Sequence, residues 1–430
     1  MKKIRSGQSF LYRAQGYKGT VLEARMKDRV DGKALQTALD HTVRRFPDLT
    51  QQLVLKGADY YLAADQAPMK ATETLDLRPL GGAQVDYHLV DVTFTVNAIR
   101  ISFHHALCDG RGIKPFMETL LFYYCSLKYN TRFSAEGIHT VNEFPDSSET
   151  QEPISTLRRP VDSRKLIPVI TDGFQLPEAT ATPNDCRCTE IQVDQNNFVR
   201  YAKEHGATPA IMVAMMLSHA IWKLHSNTAR PIVCSMAVDL RAAAGFEHTR
   251  RNCTGSFYLP YSTQVAHSDQ DETSQEYRSL IAAQRSPNMV NKSLNMQTEL
   301  FNKLDSLPTF TQKQQFMSMF DHLIINTYVL SYVGRMQCND FATHIDSVHL
   351  YSSDVKGMTV NMTAAADTIS FDVLQGFRND AYAKAFIEEL EQAGIATQST
   401  ATFSFDTGHD ESCVTASSHL QHVLVNGLLL

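Results

Sequence analysis

Apolar and polar positions alternate along several short stretches of the chain, and between them apolar residues recur every three or four positions. Alternation predicts strands, and the three-to-four spacing predicts amphipathic helices. The strand pattern covers 17–24, 90–96, 99–105, 189–193, 232–240, 328–334, 358–362 and 369–373. The helical pattern covers 33–46, 113–124, 196–205, 209–218, 272–284, 292–304, 312–320 and 379–392. We therefore expect strands and helices to be mixed along the whole chain.

Capping signals support several of these helices. Asp31 can accept hydrogen bonds from the first free amides of one helix, and Pro47 ends that helix. Thr208 and Pro209 supply an N-cap and a first-turn proline to another. Gly394 follows the last predicted helix, as a C-terminal glycine should.

Between 141 and 187 this order breaks down, because prolines interrupt polar sequence without a sustained period. We interpret 146–187 as a crossover between an N-terminal lobe, 1–145, and a C-terminal lobe, 188–397. Residues 398–430 form a tail whose order the sequence does not indicate.

Composition narrows the class of protein. The 430 residues are 43% hydrophobic and 20% charged, with a net charge of −6, which favours neither nucleic acid nor an anionic membrane as partner. No apolar run approaches the roughly 18 residues of a transmembrane span. The basic N-terminus lacks the apolar segment of a signal peptide. We therefore expect a cytoplasmic protein without a transmembrane segment.

The cysteines do not suggest a disulfide framework or a metal site. There are eight in a long chain, and only Cys186 and Cys188 are close together. No second pair and no histidine cluster completes a zinc set. We expect reduced thiols and no bound metal.

The chemistry concentrates in one segment, where His104, His105, Asp109 and Gly110 stand between a predicted strand and a predicted helix. His105 continues the apolar face of the strand, and His104 lies on the opposite face. An imidazole that is screened from bulk water can act as a near-neutral base. Asp109 and Gly110 suit the tight connection to the helix.

Residues 104–110 read His-His-x-x-x-Asp-Gly. This heptad resembles the signature of the superfamily that includes chloramphenicol acetyltransferase, condensation domains of peptide synthetases, BAHD acyltransferases and wax ester synthases. Looser similarities follow in the expected order: 38–49, then Val-Asp-Leu-Arg at 238–241, then 328–334, where Tyr332 replaces the Asn of a Ser-Asn-Val-Gly segment. An Asp-Phe-Gly-Trp-Gly motif is absent, which argues against the BAHD branch. A free-standing alcohol acetyltransferase or a wax-synthase-like member fits best.

The resemblance implies an α/β fold of two chloramphenicol-acetyltransferase-like lobes, with mixed sheets, flanking helices and an active-site channel between them. It also implies that His105 is the general base and that His104 is structural. In such proteins an arginine after the second-lobe strand pairs with the signature aspartate. Carried over to this sequence, that pair is Asp109 with Arg241, and it would lock the loop that presents His105.

The implied reaction moves an acyl group from acyl-CoA, or from the phosphopantetheine thioester of an acyl or peptidyl carrier protein, to an alcohol or amine. A small-molecule acceptor and no bound cofactor are expected. One imidazole can take the acceptor's proton and return it to the leaving thiolate. Asn252, Ser331 and Tyr332 are candidates for oxyanion stabilisation or for the channel wall.

Two other functions stay open. A catalytically silent relative would bind an acylated carrier or a partner protein without turnover. A thioesterase would use Cys108 as a nucleophile activated by His105, three residues away. Small apolar packing is the simpler role for that thiol.

Overall fold

The computed structural model describes residues 1–13, 19–64, 67–154, 157–168, 170, 172–180, 186–320, 325–352, 355 and 357–404. The strands are β1 Lys2–Lys3, β2 Thr20–Met26, β3 Gln52–Lys56, β4 Asp59–Ala63, β5 Ala71–Glu73, β6 Val90–Phe94, β7 Ala98–Phe103, β8 Arg187–Asp194, β9 Ile232–Asp239, β10 Thr254–Tyr261, β11 Tyr328–Arg335, β12 Ile345–Ser352, β13 Met358–Ala365, β14 Thr368–Gln375, β15 Thr397–Ser399 and β16 Phe403–Ser404. The helices are α1 Gln8–Leu11, α2 Gly32–Arg45, α3 Gly110–Lys128, α4 Gln195–Glu204, α5 Pro209–Leu224, α6 Arg241–Ala244, α7 Thr263–Ala266, α8 Gln270–Gln284, α9 Pro287–Ser306, α10 Phe310–Phe320 and α11 Ala381–Gln392.

The first lobe is a five-stranded mixed sheet in the order β12-β2-β7-β6-β5. Helices α2 and α3 contribute their apolar faces to its core, where Leu39 and Phe116 share one cluster with Ile101. The side chain of Asp31 accepts hydrogen bonds from the amides of Lys33 and Ala34 at 2.9 and 3.1 Å, so the predicted cap is confirmed. A separate three-stranded sheet, β1-β4-β3, lies beside this lobe within the described residues.

The second lobe is built on a larger mixed sheet in the order β10-β9-β11-β13-β14-β8-β15, and β16 also pairs with β8. Helix α5 packs on this sheet together with α8 and α11, and its apolar side chains form the centre of a second core. Thr208 caps α5 through the amide of Ile211 at 3.3 Å, and Pro209 is the first helical residue, as the sequence predicts.

Strand β12 joins the two lobes. It pairs with β2 in the first sheet and packs against β13 and β14 of the second. Residues 336–350 also contribute to the first core. The structure differs here from the predicted division, which assigned all of 188–397 to the C-terminal lobe. The sequence did not indicate that β12 belongs to the first sheet, because its partner strand β2 lies more than 300 residues away in the chain. The remaining lobe boundaries stay a prediction.

The other element boundaries differ from prediction by a few residues. Strand β11 continues through Gly334 to Arg335 with a register irregularity, instead of ending in a glycine turn. The predicted tail begins with β15 and β16, and its remainder, 405–430, lies outside the described residues, as do 17–18 of the first predicted strand. No single described helix is long and apolar enough to cross a membrane, although α4 and α5, bent by 81°, reach that length and composition together.

Candidate active site

The paired histidines lie in the turn between β7 and α3. The strand ends at Phe103, two residues earlier than predicted, and the amide of His104 makes a last bond to the carbonyl of Leu89 at 3.0 Å. The His104 carbonyl then accepts the amide of Leu107 at 2.9 Å. This turn hydrogen bond replaces strand pairing, so His105 lies on a turn and not on the strand face.

The side chain of His104 stabilises the same turn. Its Nδ1 atom accepts the amide of Ala106 at 3.0 Å, and the residue is 1% exposed. These contacts agree with a structural role, which the resemblance implies for His104.

His105 is half-buried, and its imidazole has few polar neighbours. Nε2 lies 3.4 Å from the hydroxyl oxygen of Thr20, and Nδ1 is buried without a hydrogen-bond partner among the described residues. The ring stacks on Phe10 with centroids 4.9 Å apart and meets Phe103 edge-on at 5.7 Å. Burial lowers the pKa of His105, the Asp109 carboxylate opposes this, and the Arg13 guanidinium adds to it. The net result is an imidazole that stays neutral at neutral pH.

Asp109 begins α3 and faces the other lobe. Its Oδ1 accepts the amide of Gly112 at 2.9 Å, which makes it the N-cap, and also accepts Arg241 Nη2 at 2.6 Å. The structure therefore contains the predicted ion pair, with both residues at most 3% exposed. Burial alone would raise the pKa of Asp109, but Arg241 and the surrounding donors hold it below its ordinary value. Arg241 also donates to the carbonyl of Thr249 at 2.7 Å.

Four consecutive residues of the second lobe, 251–254, donate hydrogen bonds to the turn that carries His105 and to Asp109. Arg251 Nη1 donates to the carbonyl of Leu107 at 3.3 Å, and Asn252 Nδ2 donates to the carbonyl of His105 at 3.2 Å. The Cys253 amide and the Thr254 hydroxyl both donate to Asp109 Oδ2, at 2.9 and 3.0 Å. We call residues 251–254 the clamp segment, because it fixes the backbone that carries His105 from the opposite lobe.

The clamp gives Asn252 a defined contact. Sequence reasoning made this residue an oxyanion candidate, but its amide nitrogen is bonded to the His105 backbone. The geometry favours a positioning role for Asn252.

Gly110 is required by the close approach of strand β11. A Cβ atom at this position would lie 2.6 Å from Val333 Cγ1. The neighbouring residues Ser331 and Tyr332 are half-buried and 36% exposed respectively. Strand β11 therefore contacts the start of α3 through Val333 and lines a cavity in the second lobe through Tyr332.

This cavity has a volume of about 590 Å³ and lies between β9, β11, α5 and α8. Its wall is mainly apolar and includes Ile211, Met236, Val238, Ile281 and Leu330. Tyr332 and Asp239 also line it, and Asp239 accepts Arg241 Nη1 at 2.9 Å. Arg278 and Arg285, both exposed, place two cationic groups on its rim. The cavity could accommodate an extended, mostly apolar arm with an anionic end.

Cys108 is poorly suited to nucleophilic chemistry. It is 0% exposed, and burial, reinforced by the Asp109 charge, raises the pKa of its thiol well above the ordinary value. The thiolate needed for attack is therefore disfavoured. No group of three or more His, Cys, Asp or Glu side chains suited to a metal ion occurs in the described part of the chain.

Several residues around His105 were missed by sequence reasoning. Phe10, Arg13 and Thr20 come from the first twenty residues, and Arg251 comes from the clamp segment. None belongs to a local pattern that points to the site. Of these residues, only Thr20 lies in a predicted element, the strand 17–24.

Comparison with solved structures assigns the fold. The chain matches F. graminearum TRI101, complexed with coenzyme A and T-2 mycotoxin, with a TM-score of 0.61 and 10% identity over 93% of this chain and 100% of that one. Polyketide synthase associated protein 5 from Mycobacterium tuberculosis matches with 0.60 and 13% over 90% and 97%. The first condensation domain of the CDA synthetase matches with 0.57 and 13% over 91% and 94%.

These neighbours share one architecture, and the present chain has it over nearly its full length. It is the two-lobed α/β fold with mixed sheets and flanking helices that the resemblance implied. No family model matches the chain, and no curated protein matches it in sequence.

Proposed function

We propose that the protein transfers an acyl group from a thioester to a hydroxyl or amine acceptor, with His105 as the general base. The observation that carries the proposal is the placement of the His105 imidazole on a turn that both lobes hold in place, where burial lowers its pKa. Two structural neighbours with this fold were solved with coenzyme A, one together with T-2 and the other with T-2 mycotoxin, which supports a coenzyme A thioester as the donor.

In the proposed reaction the acceptor's O–H or N–H lies next to His105 Nε2, where Thr20 Oγ1 now stands at 3.4 Å. Nε2 takes the proton as the acceptor attacks the thioester carbonyl. The tetrahedral intermediate collapses by breaking the C–S bond, and the imidazolium returns the proton to the departing thiolate. Neither a covalent enzyme intermediate nor a metal ion is needed to balance these steps.

Asp109 supports the base without touching it. Its carboxylate is bonded to Arg241, Gly112, Cys253 and Thr254, so it has no direct part in proton transfer. It joins the first turn of α3 to the clamp segment, and the clamp fixes the His105 carbonyl. Asp109 and Arg241 are therefore proposed as positioning residues, and Ser331 and Tyr332 remain candidates for the oxyanion or channel wall.

We assign the donor's pantetheine arm to the 590 Å³ cavity. An arm of this kind is shared by acyl-CoA and by an acylated carrier protein, and the mostly apolar wall of the cavity, which includes Tyr332, suits it. Arg278 and Arg285 would pair with phosphate groups at the outer end. The double variant Arg278→Ala, Arg285→Ala should raise KM for acyl-CoA and leave KM for an acyl-pantetheine, which lacks the nucleotide, unchanged. Equal KM values for acyl-CoA in the variant and the wild type would refute the assignment.

The central experiment measures thiol release from acetyl-, medium-chain and long-chain acyl-CoA with pooled alcohols and amines. Wild type, His105→Ala and Cys108→Ser are compared. We expect release in the wild type and in Cys108→Ser, and its loss in His105→Ala. Loss in Cys108→Ser as well as in His105→Ala would support the thioesterase instead. Binding without release from any CoA or carrier-bound thioester would support the silent binding module.

A further inference from the structure

The first residues of the chain lie against the proposed base. We call residues 4–13 the N-terminal strap. Its Gly7 has φ +74, and a Cβ atom there would lie 2.1 Å from the carbonyl oxygen of His105. Only glycine allows both this backbone conformation and this close approach. The strap therefore packs directly on the backbone of the catalytic turn.

Three side-chain groups stack in a row where the strap meets the turn. The ring of Phe10 lies parallel to the imidazole of His105, with an interplanar angle of 28° and centroids 4.9 Å apart. The guanidinium carbon of Arg13 lies 5.0 Å from the Phe10 ring centroid. Aromatic stacking and cation–π contact both favour this order. As a result, the Phe10 ring covers one face of the His105 imidazole.

The strap is anchored to the second lobe and not only to the first. Arg5 donates to Asp305 and Asn302 of α9, at 2.8 and 2.7 Å. Lys3, just before the strap, pairs with the same Asp305 at 2.9 Å. Farther along, the Tyr12 hydroxyl donates to the carbonyl of Ala58 at 2.8 Å. These contacts fix the strap on both sides of Phe10.

We propose that Phe10 is a positioning residue for the reaction, which holds the His105 ring in one plane and keeps water from one of its faces. The proposal rests on the function assigned to His105 above. Among the described residues, the charged side chains that act on this imidazole are those of Asp109 and Arg13. Asp109 favours the protonated ring and Arg13 disfavours it, so the strap contributes a cation on the side that keeps the ring neutral.

The test replaces the stacked ring while leaving the histidine in place. Phe10→Leu keeps an apolar side chain but removes the stack, and Phe10→Tyr keeps it. Phe144→Leu is the matched control, because that phenylalanine is 94% exposed and remote in sequence from the turn. His105 is observed by NMR in protein with labelled histidine, and its signal is assigned by its absence in His105→Ala.

We expect Phe10→Leu to remove the ring-current shift of the His105 signal and to raise its titration midpoint, because water reaches the imidazole. In the pH profile of kcat, the midpoint of the fall on the acid side should move to higher pH by the same amount. At optimal pH, kcat should fall about threefold to tenfold, the range of one aromatic pair, with a smaller change in KM. Phe10→Tyr and Phe144→Leu should behave as wild type. Arg13→Gln, at the far end of the stack, should also raise the midpoint, and it serves as the second variant if Phe10→Leu does not fold.

Two failures are distinguishable. If His105→Ala abolishes turnover but Phe10→Leu and Arg13→Gln titrate as wild type, the strap proposal is wrong and the proposed function stands. A lower melting temperature with an unchanged midpoint would likewise reduce Phe10 to a packing residue. If His105→Ala keeps full turnover, the proposed function fails, and the NMR titration still decides whether Phe10 controls this imidazole.

Discussion

Two histidines of this protein, His105 on the turn after β7 and His349 on β12, lie in contrasting environments. His105 has no hydrogen-bonded carboxylate within the described residues, and Thr20 is its nearest polar side chain. His349, on β12, has the arrangement of a hydrolase triad. Its Nδ1 lies 2.7 Å from Asp372 Oδ1 and its Nε2 lies 3.0 Å from Ser347 Oγ. By side-chain geometry alone, His349 would be the more persuasive catalytic residue.

Burial reverses that judgement. Ser347, His349 and Asp372 are all 0% exposed, because β12 is covered by the second sheet. Asp372 Oδ2 also accepts the amide of Leu350 at 2.7 Å, which ties β14 to β12. A substrate cannot reach the serine, and the cluster instead connects the two sheets. His105, in contrast, lies on the turn that meets the clamp segment, and its Nε2 has one long polar contact, with Thr20, among the described residues.

The two sites also move the histidine pKa in opposite directions. Burial lowers the pKa of His105 with only partial opposition from Asp109. Burial acts in the same way on His349, but the Asp372 carboxylate overcomes it and raises the pKa above its ordinary value. A neutral imidazole suits proton abstraction, and a protonated one suits a buried ion pair. The comparison teaches that access and charge state, more than a triad-like geometry, separate a catalytic histidine from a structural one.

The largest effect is expected where the catalytic turn meets the second lobe. Asp109→Asn should destabilise the protein by about 3 kcal/mol, because it leaves the buried Arg241 guanidinium with only the exposed Asp239 carboxylate as counter-ion. It should also lower kcat, since the clamp segment loses its acceptor. Denaturant unfolding and steady-state kinetics measure the two effects. An unfolding free energy equal to wild type would show that the pair does not lock the lobes.

A change at the buried triad should affect stability alone. His349→Gln removes the charged partner of Asp372 but keeps a hydrogen-bond donor, so we expect a loss of about 1.5–3 kcal/mol. Turnover per folded molecule should stay at the wild-type value. If kcat fell while the folded fraction was unchanged, His349 would have a functional role and the comparison would break down.

The pH dependence of kcat and the pH dependence of unfolding should distinguish His105 from His349 in the same protein. His105 is active when neutral, so kcat should rise with pH through a midpoint below the ordinary value of about 6.5 and then level off. The pKa of His349 is higher folded than unfolded, so its stabilising contribution is complete below about pH 6.5 and is lost as pH rises through the folded value. Unfolding of wild type and His349→Gln across pH 5–9 tests this, and a difference that grows with pH would contradict it.

The smallest effect is expected for one clamp contact. Asn252→Ala removes the 3.2 Å hydrogen bond to the His105 carbonyl and should lower kcat about threefold to tenfold. KM for both substrates should change less, since the backbone and not a substrate loses the contact. Ser331→Ala, on β11, is the comparison variant. A larger loss of kcat in Ser331→Ala would favour oxyanion stabilisation by β11.

Local patterns predicted much of the fold. Helix α2 was located from its apolar spacing and its cap, because it buries one stripe, and α3 was located from its apolar spacing. Helix α5 is buried along most of its length, and its N-cap and first-turn proline helped to locate it. Strand β12 was missed for a physical reason. It belongs to the first sheet and packs against the second, and its buried positions include Ser347 and His349, so it lacks the alternation of a half-exposed strand.

The residues of the candidate site also fall into two groups, those that a local pattern indicates and those that only the tertiary fold brings close. His105, Asp109 and Arg241 were found because the heptad and the second-lobe strand carry a resemblance. Phe10 and Thr20 were not, because they approach His105 only through the tertiary fold. A sequence pattern can indicate which residue is the base, but the groups that set its charge and its plane come from distant parts of the chain.

The central claim is that His105, and not His349, is the base for acyl transfer. The most direct test is kcat per folded molecule for His105→Ala and His349→Gln, with the thiol released and the acylated acceptor counted together. We predict a loss of about 10²–10⁴-fold in His105→Ala, the usual contribution of a general base, and wild-type turnover in His349→Gln. Undiminished turnover in His105→Ala, with one acylated acceptor for each thiol released, would contradict the account.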